Sequence, residues 1–175
     1  MDTLPLHPKL VHLPIALAVL LPLIAGVILV AWWRGRLPRV AWWGVVGLQA
    51  LLLATGLYAR STGEADEERV EAIVPEAALE AHEEAATGFV IGAGVALALT
   101  IAAGAVRARG PALGFGAAAV VGTVVVLGLG YRVGQAGGEL VYRHGAAAAY
   151  ATPAAGGAGA GGAAASAPRG GDDDD

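Results

Sequence analysis

The side chains of this 175-residue sequence best suited to chemistry are its four histidines, His7, His12, His82 and His144. A neutral imidazole ligates haem iron and divalent metals and changes charge near neutral pH. There is no cysteine, which excludes disulfides, thiolate metal sites, covalent c-type haem attachment and a cysteine nucleophile. Neither Gly-x-Ser-x-Gly, His-Glu-x-x-His nor a phosphate-binding Gly-Lys-Ser/Thr occurs, so no hydrolase, zinc-protease or nucleotidase machinery is claimed. A formal net charge of −4 gives no basis for binding nucleic acid. The reading is of a chain that is not an enzyme by itself.

The elements that position these histidines are apolar. Hydrophobic residues make up 56% of the chain and charged ones 15%, short of the polar surface a soluble globule needs. Four stretches, about 13–33, 40–58, 87–106 and 113–131, contain no Lys, Arg, Asp, Glu or His. Each is about 20 residues, enough as a helix to cross roughly 30 Å of hydrocarbon. The expected fold is all-α: a four-helix transmembrane bundle over residues 1–150 with an acidic helix extension. The first stretch ends in Trp32-Trp33-Arg34 and reads as a retained span, without the small-residue site of a cleaved signal.

Orientation follows from the loops. Arg34, Arg36 and Arg39 lie between spans one and two, bracketed by Trp32-Trp33 and Trp42-Trp43, and Arg107 and Arg109 lie between spans three and four. Neither loop holds an acidic residue. The positive-inside rule puts both loops in the cytoplasm and both termini outside, with the tryptophan pairs at headgroup depth in the cell (inner) membrane. All four histidines then fall at one membrane face, whichever face that is.

His7-Pro8 reads as a helix start, with Pro8 where a missing N–H costs nothing. Pro14 should kink the entry and Pro22 bend the span again, leaving His12 at the water–lipid boundary. In the 59–86 connection, Pro75 opens a helix that runs into span three. At about 100° per residue, Glu76, Glu80, Glu83 and Glu84 share one arc, while His82 falls opposite them beside Ala86 and Phe89. A ligand belongs on that apolar arc, and so does a packed histidine bonded to a carbonyl. Gly88-x-x-x-Gly92, Gly130-x-x-x-Gly134 and Gly134-x-x-x-Gly138 permit close helix approach, although an Ala/Gly-rich composition produces such spacings freely. Gln49, in mid-membrane, is expected to make an interhelical hydrogen bond. The acidic run after Glu64 lacks the spacing of a calcium loop and reads as a solvated face. Residues 151–175, Ala/Gly-rich and ending in four aspartates, read as a disordered external tail.

Three patches together resemble one family. They are Leu6-His7-Pro8-Lys9-Leu10-Val11-His12-Leu13-Pro14-Ile15, Glu80-Ala81-His82-Glu83-Glu84, and Gly137-Gly138-Glu139-Leu140-Val141-Tyr142-Arg143-His144-Gly145. They are similar to the DUF2231 family of small bacterial four-span membrane proteins, over about residues 4–148. The family's first motif usually reads His-Phe-Pro where this chain has His12-Leu13-Pro14. The resemblance implies the four-span fold and a role for the histidines. Some relatives look fused to Rieske or cytochrome c modules, which by analogy points to haem or quinone chemistry.

Three functions fit these residues. The first is a b-type haem protein for electron transfer, with respiratory electron-transfer proteins or quinol as partners. It needs two imidazoles on facing helices and basic groups near the haem carboxylates. His12 and His82 are the expected axial pair, Arg143 and Lys9 the basic groups, and His7 and His144 substitutes or supports. The second is a divalent-metal site built from the histidines with Glu83, Glu84 or Glu139, although no charged relay crosses the spans. The third is a structural or anchoring subunit with no cofactor.

Overall fold

The computed structural model describes the backbone of residues 7–150. The expected disordered tail, 151–175, lies outside the described residues. A one-turn helix α1 (His7–Leu10) leads into α2 (His12–Trp33). A 3-10 turn (Arg39–Ala41) precedes α3 (Trp42–Val70), followed by α4 (Glu76–Ala105) and α5 (Arg109–Tyr142), with a last 3-10 turn over Ala146–Tyr150. Four of these helices are long and apolar enough to cross a membrane, and no strand occurs among the described residues. They form a ring in which α2 touches α3 and α5, and α4 touches the same two.

Local chemistry explains the boundaries. Pro14 has no N–H to offer Leu10 O, and the helix breaks at Val11, between α1 and α2. The helix α2 ends in a Schellman motif. Gly35 turns left-handed at φ 71°, Arg36 N–H reaches Ala31 O at 2.8 Å, and Gly35 N–H reaches Trp32 O at 3.0 Å. The helix α3 does not stop at the end of its apolar stretch. It continues through the acidic run to Val70, because Ala, Arg and Glu are good helix formers and Arg60 pairs with Glu64 one turn on, at 2.9 Å.

The interior is built from small residues. Ala25, Ala93, Ala96, Ala103 and Ala112 are fully buried, whereas Leu23, Val27, Ile91 and Val121 point outward. That is the arrangement of a protein whose solvent is hydrocarbon: lipid tails cover the large side chains, and close backbone approach holds the helices together. A Cβ at Gly92 would stand 2.6 Å from Leu129 Cδ1, and one at Gly116 2.7 Å from Leu29 Cδ1. In the spacing at 134–138, neither Gly134 nor Gly138 has a neighbour within 4 Å, so that motif is compositional. Gln49 makes the expected interhelical bond, its Nε2 donating to Ala93 O at 3.2 Å.

The tryptophan pairs divide between two roles. Trp33 and Trp43 are exposed, but Trp32 and Trp42 are core residues with ring centroids 5.9 Å apart. Trp42 Nε1 donates to Thr100 O at 2.8 Å. Neighbouring residues on a helix point about 100° apart, which here turns one ring of each pair into the core and the other outward.

Candidate functional site

At the end of the bundle opposite the arginine loops, the structure brings two imidazoles together: His7 on α1 and His82 on α4. Their ring centroids are 6.3 Å apart and their planes stand at 86°. His7 Nδ1 lies 2.8 Å from Ala59 O on α3, which as an acceptor requires the proton on Nδ1. The Thr62 hydroxyl donates to the same carbonyl at 2.8 Å and lies 3.4 Å from His7 Nδ1. In the neutral ring this leaves the lone pair on His7 Nε2, the state in which histidine ligates a metal while a backbone carbonyl orients the ring.

His82 takes the position its helical phase predicts. It is half-buried on the face of α4 that carries Leu79 and Phe89, and Glu76, Glu80, Glu83 and Glu84 all face out. It lies in the polar extension of α4, before the apolar stretch begins at Thr87. Its Nδ1 is buried without a hydrogen-bond partner. Burial, then the neighbouring His7, push its pKa below the ordinary imidazole value of 6.5, and the Val133 backbone and Glu83 act the other way. The Val133 backbone is thus near enough to favour the protonated ring, but no bond of good geometry forms.

Glycines let both rings in. A Cβ on Gly63 would stand 3.2 Å from His7 Cε1, and a Cβ on Gly137 would stand 3.2 Å from His82 Cε1. Seven residues before each lies another glycine, Gly56 on α3 and Gly130 on α5, and a Cβ on either would meet Phe89, at 3.0 Å from Cε1 and 3.4 Å from Cε2 respectively. Three residues after each of these comes the backbone group that acts on the histidine, Ala59 for His7 and Val133 for His82. The two helical hairpins, α2–α3 and α4–α5, therefore supply the same parts: a histidine before the first helix's apolar stretch, and a Gly-x6-Gly on the second helix to receive it. The matching extends to the far end. Arg34-x-Arg36-x-Pro38 and Arg107-x-Arg109-x-Pro111 occupy the two loops. Arg39 donates to Gly104 O near the end of α4, and Arg109 donates to Trp33 O at the end of α2, at 3.0 Å. Each hairpin's loop satisfies a terminal carbonyl of the other.

The other expected site residues lie elsewhere. His12 does not meet His82: it is exposed on the first turn of α2, with Nδ1 3.3 Å from Lys9 O. The backbone dihedrals stay helical at Val11 (φ −64°, ψ −20°), so His7 and His12, five residues apart, point to different faces, and it is α1 that leans on α3. His144 is half-buried in the turn closed by Gly145 (φ 70°), and among the described residues the paired imidazoles are His7 and His82. Arg143 is exposed and pairs with Glu139 at 3.4 Å. No three His, Asp or Glu side chains converge as a metal site among the described residues. Sequence reading missed Ala59, Thr62, Gly63, Val133 and Gly137. The repeated Gly-x6-Gly and Arg-x-Arg-x-Pro spacings were the signal that marked them.

The lowered pKa of His82 has a measurable effect. Below pH 6.5 the unfolded chain takes up this proton before the folded one does, so folding stability falls with the pH. The melting temperature of cofactor-free protein should hold above pH 6.5 and decline below it, and His82→Gln, which cannot protonate, should flatten that decline. An unchanged acid slope in the variant would show that His82 is not responsible.

No curated protein and no solved structure matches this chain. A family described as a predicted membrane protein, DUF2231, matches residues 3–150, which takes in the whole of the described structure. With four helices fit to span a bilayer and the paired histidines at one end, the chain belongs to the DUF2231 family of membrane proteins.

Proposed function

We propose that this membrane protein holds a b-type haem between His7 and His82 and passes electrons at the extracytoplasmic face of the inner membrane. The observation that carries this reading is the matched pair of half-sites, each offering one imidazole beside one glycine. His7 and His82 would hold the iron between them, which needs their ring centres to stand roughly 6 Å apart. The 6.3 Å between His7 and His82 fits that arrangement. The buried, unpartnered Nδ1 of His82 and the tight fits at Gly63 and Gly137 belong to a place shaped around the two rings. Two imidazoles suffice for the axial positions of haem iron, whereas a divalent-metal site generally takes three or four protein ligands.

When bound, haem supplies one-electron chemistry. The chain's own part is to hold and orient its ligands. Ala59 O fixes the His7 ring through Nδ1, and burial keeps His82 neutral and able to donate a lone pair. Phe89, wedged between Gly56 and Gly130 two turns along, separates the site from the apolar part of the bundle.

The test is a visible spectrum of detergent-purified protein from haem-supplemented cells. The expected result is a low-spin b-type spectrum that shifts on reduction, with one haem per chain. A colourless protein with a stoichiometric metal would favour the divalent-metal reading, and one with neither would leave a structural subunit. The orientation is tested separately. A phosphatase reporter fused after Tyr150 should be active and one fused within the 34–39 loop inactive, and the reverse pattern would invert the protein in the membrane.

A further inference from the structure

At the opposite end of the bundle from the histidines, the surface of α2 carries a groove of about 320 Å³ lined by Gly26, Val27, Val30, Ala31, Arg34 and Arg36. Its walls follow from local structure. Residues 26, 27, 30, 31 and 34 lie on one stripe of a helix, and Gly26 leaves a notch in it, with nothing within 4 Å of where its Cβ would be. The left-handed turn at Gly35 folds the chain back so that Arg36 N–H bonds Ala31 O, which returns Arg36 beside Arg34 at the groove's mouth. The floor is apolar and faces outward, where Val27 is 68% exposed.

The arginines of this end are not equivalent. Arg39 and Arg109 are committed to helix-terminal carbonyls. Arg34 and Arg36 are exposed, and their guanidinium groups make no hydrogen bond or ion pair among the described residues. Two unneutralised guanidiniums therefore stand over an apolar groove that opens to lipid, and the exposed Trp33 ring beside them marks headgroup depth. A partner for this surface needs an anionic head for the guanidiniums and a hydrocarbon tail for the stripe. We propose that the groove is a binding site for a single anionic phospholipid, its phosphate between Arg34 and Arg36 and one acyl chain along Gly26, Val27, Val30 and Ala31. Guanidinium pairs hold phosphate oxygens in a bidentate manner, and the low dielectric at the membrane surface strengthens the contact. The site is independent of the histidine pair and of whether that pair binds a cofactor.

The test is phospholipid retention by native mass spectrometry, on the full chain released from nanodiscs of equal parts phosphatidylglycerol and phosphatidylcholine. Two arginines at the surface should favour the anionic lipid by on the order of tenfold. Arg34→Gln with Arg36→Gln should bring the two lipids to equal retention, and Gly26→Leu, which fills the notch and leaves both charges, should lower retention of both. Arg34 and Arg36 are exposed and a Cβ at Gly26 meets nothing within 4 Å, so the fold should stay intact, which elution volume and circular dichroism verify. Equal retention of both lipids by the unaltered chain would overturn the proposal, and so would a preference that survives the double substitution. If inorganic phosphate displaces phosphatidylglycerol, and Gly26→Leu changes nothing, the arginines bind phosphate alone and the groove is not a lipid site.

Discussion

His7→Ala and His82→Ala should each abolish the low-spin haem spectrum, while His12→Ala and His144→Ala leave it in place. The first two each remove one of the two axial bonds, and no other imidazole stands near enough to replace it. His12 is exposed and bonded near Lys9, one helix break away from His7. Reduced-minus-oxidised spectra and haem content of the four variants decide the matter. Loss with His12→Ala and retention with His7→Ala would restore the pairing that sequence spacing favours and discard the one the geometry supports. If all four proteins are colourless and differ only in melting temperature, the imidazoles are structural. The expected cost is then about 1–3 kcal/mol for a buried hydrogen bond lost.

The second large effect concerns Phe89. Its ring is held between Gly56 on α3 and Gly130 on α5, so it cannot retreat from one glycine without striking the other. Gly56→Leu should destabilise the bundle by roughly 1–3 kcal/mol or more, since overpacking forces backbone or rotamer shifts. Phe89→Ala should cost about 3–5 kcal/mol through the cavity it leaves. Combined, the leucine enters space the ring has vacated, so the double variant should be well short of the sum. Thermal melts of the four proteins in one detergent give the coupling, and strict additivity would show that the two residues do not compete for the same space.

The spans were legible because lipid imposes a simple rule: about 20 residues without charge, and nothing else crosses. The face of His82 was legible for a similar reason, since four glutamates on one arc leave one buried side. The partner of His82 was harder. His7 and His12 are five residues apart on what reads as a single helix start, and His12 lies closer to the apolar stretch. The five-residue spacing decides between them, because it turns the two rings to different faces of the helix, and α1 rests on α3 by packing that no local pattern encodes. The same holds for the tryptophans, whose enrichment at membrane interfaces hid the fact that Trp32 and Trp42 turn inward to join Leu21, Val45 and Leu52 in a core rich in alanine. Gly63 and Gly137 were invisible as isolated residues in a chain with 27 glycines, and become meaningful only when the two hairpins are laid over each other.

The depth of His82 has an electrical consequence. Five residues separate it from Thr87, where the apolar stretch begins. Were the hydrocarbon to begin there, a rise of about 1.5 Å per residue would put the ring some 7 Å outside it, in the headgroup layer. Nearly all of a transmembrane voltage falls across the hydrocarbon, where a full crossing costs about 2.3 kcal/mol per charge at 100 mV. A charge that reaches the histidine pair from the adjoining aqueous side crosses almost none of that field. Exchange at this site should therefore run at the same equilibrium in an energised membrane and a collapsed one, and the bundle beneath it acts as an insulator.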